Sequence, residues 1–71
     1  MVIISKCKSI IVNLDNITSV AMDDDKKEII ADTGLMEITI GRYEDEEVTK
    51  TVFNQLIEAI ENCEEVFHMP E

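Results

Sequence analysis

Up to Tyr43, apolar and polar residues alternate in short β-branched runs separated by polar punctuation. Val2 to Cys7 and Ile10 to Leu14 are two such runs, split by Lys8-Ser9, and they read as a hairpin. Asp15-Asn16 follows as a turn, because both side chains readily bond their own backbone. Ile17 to Met22 and Glu28 to Asp32 flank the polar stretch Asp23-Asp24-Asp25-Lys26-Lys27, a second hairpin. Thr33-Gly34 turns the chain again. In the run Met36 to Tyr43, Met36, Ile38 and Ile40 then alternate with Glu37 and Thr39, as in a strand with one buried face.

Beyond Tyr43 the period lengthens to that of a helix. Val48, Val52, Leu56 and Ile60 recur every four residues, and Phe53, Ile57, Ala59 and Cys63 widen the stripe. Glu44-Asp45-Glu46-Glu47 opens this segment. Acids there suit the positive end of the helix dipole, and Asp45 is the expected N-cap. The pattern predicts an α+β fold in one small domain, 1–71. It comprises an antiparallel β-meander of about five strands (2–7, 10–14, 17–22, 28–32, 36–43) and a C-terminal amphipathic helix (45–62) packed on it. The tail from Val66 to Glu71, with Pro70 near its end, is expected to fray.

Composition changes the picture in two ways. A 71-residue chain buries a modest share of its surface, so small domains often add a staple or a second subunit. The first hairpin carries apolar residues on both faces of its strands, which predicts self-association through Ile3, Ile4, Ile10, Ile11 and Val12. A dimer or higher oligomer is the expected form. The second change is charge. Sixteen acids against six bases give a formal net charge of −10, which repels phosphate backbones and anionic lipid alike. Direct nucleic-acid binding and membrane association are not expected, whereas a basic protein surface would be attracted.

The chain offers little for catalysis. Cys7 and Cys63, with no export signal ahead of them, read as free thiols in a reducing compartment, hence a cytoplasmic protein. Cys63 falls on the apolar stripe and is expected to be buried and inert. His68 is the one histidine, and it lies in the tail. No Cys-x-x-Cys or His-x-x-x-His spacing suggests zinc, and Asp23-Asp24-Asp25 lacks the alternating ligands of an EF-hand. Both glycines stand alone, so no phosphate-cradling loop can be drawn. The expectation is a protein without enzymatic activity, metal or cofactor.

One stretch resembles a known type. Ile40-Gly41-Arg42-Tyr43-Glu44-Asp45-Glu46-Glu47, continued by Val48-Thr49-Lys50-Thr51-Val52-Phe53, is similar to the "LG-x-Y-x-S/T-E-E-x-A-K-x-V-L" ending of small proteins from Firmicutes and their phages. Ile3-Ile4-Ser5-Lys6 and Ser9-Ile10-Ile11-Val12-Asn13 resemble the opening of such proteins. Thr49 stands where Ala is usual, and Asp45 where Ser or Thr caps the helix. The resemblance implies a β-meander followed by a helix in a mobile-element protein. Some proteins of that kind counter bacterial immunity by mimicking DNA or by sequestering a signalling nucleotide.

Three functions follow as expectations. An inhibitor would press an acidic face, Glu58, Glu61 and Glu65 with Asp23, Asp24 and Asp25, against a basic groove of a host defence protein. An oligomer would instead capture a small nucleotide at subunit interfaces, with Lys6, Lys8, Arg42 and Lys50 as its donors. A structural or regulatory interaction module is the third.

Overall fold

A computed structural model describes all 71 residues. Its elements in chain order are β1 (Val2–Ile4), β2 (Ile11–Asn13), a 3-10 turn (Leu14–Asn16), β3 (Ser19–Met22), β4 (Glu28–Asp32), β5 (Glu37–Arg42), α1 (Glu46–Glu61) and β6 (Val66–His68). The α+β class and the helix agree with the sequence pattern. The single meander does not: six strands form two three-stranded sheets, ordered β2-β1-β6 and β3-β4-β5.

Two features divide the sheets. Between β2 and β3, Asn13 Oδ1 accepts a hydrogen bond from the Asp15 amide at 3.0 Å, and the 3-10 turn redirects the chain before β3 begins. The second feature is the tail, which is ordered structure. β6 lies parallel to β1, with Val2 opposite Val66 and Ile4 opposite His68. The Val2 amide donates to the Glu65 carbonyl at 2.8 Å and the Met69 amide to the Ile4 carbonyl at 2.9 Å. Phe67 is half-buried and Met69 buried, so the tail alternates as a strand does. A bond from the Lys6 amide to the Ile40 carbonyl, 2.8 Å, then ties the first sheet to β5.

The helix forms where its caps place it. Asp45 is extended and its Oδ1 accepts from the Val48 amide at 2.9 Å, while Glu46 and Glu47 occupy the first turn. Thr49, fully buried, donates its hydroxyl back to the Asp45 carbonyl at 2.9 Å. At the other end the Glu64 amide reaches the Ala59 carbonyl and the Cys63 amide the Ile60 carbonyl, the paired bonds of a Schellman motif. Cys63 therefore has φ of 56°, in the left-handed region where glycine is usual. This corrects the expectation for Cys63. It lies past the helix, exposed, and not on the apolar stripe.

The core is shared by both sheets and the helix: Ile3, Val12, Ile29, Ala31, Ile40, Tyr43, Val52, Leu56 and Met69. A register shift in the β4–β5 ladder sets Ile29 opposite Gly41 and Ile30 opposite Thr39, so Ile40 is the extra residue of a bulge. Ile40 and Gly41 are both buried in consequence. A Cβ on Gly41 would meet the Met69 methyl at 2.9 Å and the Tyr43 ring at 3.0 Å. Glycine lets the tail and Tyr43 close over β5.

Candidate functional site

Two surfaces gather the side chains with chemical potential: a cleft beside the β1–β2 turn and the acidic exterior. The cleft begins with the turn Ser5 to Ile10. The Lys8 amide donates to the Ser5 carbonyl at 2.9 Å and Lys8 takes φ of 63°. Buried Ser5 accepts the Ile10 amide on its Oγ at 3.1 Å, so the turn is braced from within. Lys6 points along β5. Its ammonium donates to the Arg42 carbonyl at 2.6 Å and stands 4.5 Å over the centre of the Tyr43 ring. Lys6, Cys7, Thr39, Ile40, Gly41 and Arg42 together enclose a cleft of about 480 Å³.

Cys7, exposed at the rim, hydrogen-bonds Ser5 Oγ at 3.4 Å and Ser9 Oγ at 2.7 Å. Those two hydroxyls bring its thiol down to about 7 from an ordinary 9.0. Burial pushes the Tyr43 phenol up. The structure thus brings Lys6 and Arg42 together, while the other two expected donors point elsewhere. Lys8 pairs with Glu71 at 3.1 Å and Lys50 with Glu46 at 3.0 Å, one helical turn away. That pairing lowers the Glu46 carboxyl and raises the Lys50 ammonium. Cys7 and Ser5 carried no periodic signal, since their roles depend on the turn closing.

The acidic residues divide by what they do. Asp23 accepts the Lys27 and Glu28 amides on Oδ1, at 3.0 and 3.1 Å, closing the β3–β4 hairpin. The Glu28 amide above all holds the Asp23 carboxyl below its usual range. Asp32 caps the Gly34 amide, Asp45 caps α1 and Glu28 accepts from Thr39. Asp24 and Asp25 stay free at the hairpin tip. Glu58 and Glu61 are exposed on α1, but Glu65 is not part of that face: the helix ends at Glu61, and Glu65 leads into β6. The expected acidic triad is therefore a pair.

The residues expected to self-associate also separate. Ile3 and Val12 face each other inside the core, Ile4 and Ile10 are half-buried, and Ile11 is 71% exposed. The hairpin's inward face is covered by the protein's own helix and second sheet. No group of three or more His, Cys, Asp or Glu side chains is placed to hold a metal ion. No helix is long and apolar enough to cross a membrane. No protein-family model, curated protein or solved structure matches the chain.

Proposed function

We propose that this protein is a non-enzymatic acidic binding module that occupies a basic surface of another protein and so inhibits it. The observation that carries the reading is the state of its carboxylates. None of the sixteen acids is buried. Six of them, Asp23, Glu28, Asp32, Asp45, Glu46 and Glu71, are engaged by partners within the fold. The remaining ten have no such partner, among them Asp24, Asp25, Glu58 and Glu61. Free carboxylates on ordered elements present a fixed field, which steers a basic partner and selects its orientation. The resemblance to mobile-element proteins makes a nucleic-acid-binding groove of a host defence protein the expected target.

The test is capture from a host lysate, compared between the wild-type protein and a Glu58→Lys, Glu61→Lys variant across a tenfold range of salt. Surface attraction is screened over ~8 Å at physiological ionic strength, so the partner should be lost at high salt and by the variant. A partner retained equally in every arm would sink the proposal.

The cleft between Lys6 and Arg42 favours a second reading, capture of a small anionic ligand such as a nucleotide. Two cationic side chains, Lys6 and Arg42, are suited to a phosphate. Calorimetric titration with nucleotides, repeated on Arg42→Ala, separates this reading from the first.

A further inference from the structure

Beside α1 lies a second cavity, of about 300 Å³, at the lower end of the range of small-ligand sites. Leu14, Ile17, Val20, Phe53, Ile57 and Ile60 supply most of its wall. It exists because the helix is apolar over a wider arc than the sheet covers. Thr49, Val52, Leu56 and Ala59 face the core, and Phe53, Ile57 and Ile60 form a neighbouring stripe. The second sheet ends at β3, whose outer edge has no backbone partner. Ile57 and Ile60 consequently remain 41% and 44% exposed.

We infer that this groove receives a short, basic, amphipathic segment of a partner protein, whose apolar side chains fill it while its Lys or Arg side chains meet the acids alongside. The inference rests on the reading as an acidic binder and gives that binder its apolar anchor. Charge identifies the occupant. No Lys or Arg lines the groove. Glu61 stands one helical turn beyond Ile57 on the same side of the helix, and Asp15 lies in the 3-10 turn between Leu14 and Ile17. The nearest preceding cation on the helix, Lys50, is held by Glu46. A second copy of the chain would bring the same acids and another net charge of −10 against them. A basic amphipathic segment satisfies both the apolar floor and the acidic border, as in recognition of a helix by a groove.

The β4–β5 turn extends the surface. Gly34 lies against Thr18, a lining residue, with 3.6 Å from the position of a Cβ to the Thr18 methyl. Leu35, next in that turn, is 98% exposed.

The experiment uses the full chain and three labelled synthetic peptides: a Leu/Lys amphipathic helix, its Ser/Lys counterpart and its Leu/Glu counterpart. Binding is followed by fluorescence anisotropy, and its location by methyl NMR of the wild-type protein. The Leu/Lys peptide should bind and shift the methyl resonances of Ile57, Ile60 and Val20. An Ile57→Ser, Ile60→Ser variant, or the Ser/Lys peptide, should each weaken binding by about tenfold or more, since buried apolar anchors dominate such interfaces. Both substituted residues are half-exposed, so circular dichroism of the variant should match the wild type; the wild-type methyl map decides the matter if it does not.

The inference is overturned if no peptide binds, if the shifts fall elsewhere, or if the same methyls shift with protein concentration alone. Equal binding of the Ser/Lys and Leu/Lys peptides, lost in Glu58→Lys, Glu61→Lys, overturns the groove and leaves the acidic reading standing. Equal binding of the Leu/Glu peptide overturns the acidic reading itself.

Discussion

Tyr43 donates its phenol hydrogen to the Pro70 carbonyl at 2.8 Å, joining the end of β5 to the segment beyond β6. The bond is half-buried and sits directly over Gly41, where the Met69 methyl and the Tyr43 ring leave no room for a Cβ. The two contacts lock β6 against the second sheet.

Tyr43→Phe should therefore cost about 1 kcal/mol, because it leaves the Pro70 carbonyl without its donor. Gly41→Ala should cost about 1–3 kcal/mol, since Tyr43 and Met69 must give way. Thermal melts check both. Hydrogen exchange should show faster opening at Phe67 and Met69 than at Val52 and Leu56 in either variant. Uniform acceleration along the chain would contradict the lock.

Cys63→Gly should stabilise the protein by roughly 0.5–1 kcal/mol, because glycine adopts the left-handed C-cap that Cys63 holds at φ of 56°. In a domain of this size that corresponds to a rise of several degrees in Tm. Cys63→Ala keeps the Cβ and should give no comparable gain. An equal effect of the two substitutions would show that strain at this position is not the cause.

Asp45→Ala should destabilise the protein by about 1 kcal/mol through loss of the bond to the Val48 amide, while Asp45→Ser should recover most of it. Glu58→Ala, on the exposed helix face, should leave the melting curve within about 0.5 kcal/mol of wild type. Denaturant titration distinguishes them, since the slope should be unchanged and only the midpoint should move.

Cys7 should alkylate with a half-maximal rate near pH 7, the value to which Ser5 and Ser9 bring its thiol. In a Cys63→Gly background it is the single thiol, and iodoacetamide kinetics read it directly. Ser9→Ala should move the midpoint upward. The sign of the linked stability follows from the same bonds. The folded state prefers the thiolate, so the contribution is full above the unfolded value of 9.0 and is lost as pH falls through about 7. A midpoint unmoved by Ser9→Ala would remove the hydroxyls as the cause.

Features written into neighbouring residues were legible in the sequence. Asp45 before Val48, the acids at Glu46 and Glu47, and the four-residue recurrence of Val52, Leu56 and Ile60 define α1, whose hydrogen bonds span only four residues. The hairpin around Asp23 to Lys27, the alternation in β4 and β5 and the acidic character depend on equally short stretches. The tertiary structure decided whatever joins distant residues. Val66 to His68 look like a tail until β1 supplies a parallel partner, and three residues alone carry too little periodicity to declare a strand. Cys63 shares the helical spacing of Leu56 and Ile60, yet the Schellman bonds end the helix before it. Lys6 reaches the Arg42 carbonyl only because the first sheet docks on β5, and Ile17 and Ile57 line one groove only because the helix packs beside β3. Periodicity assigns a residue to a face of its own element; which faces are covered, and which remain as a cleft or groove, depends on how the elements pack.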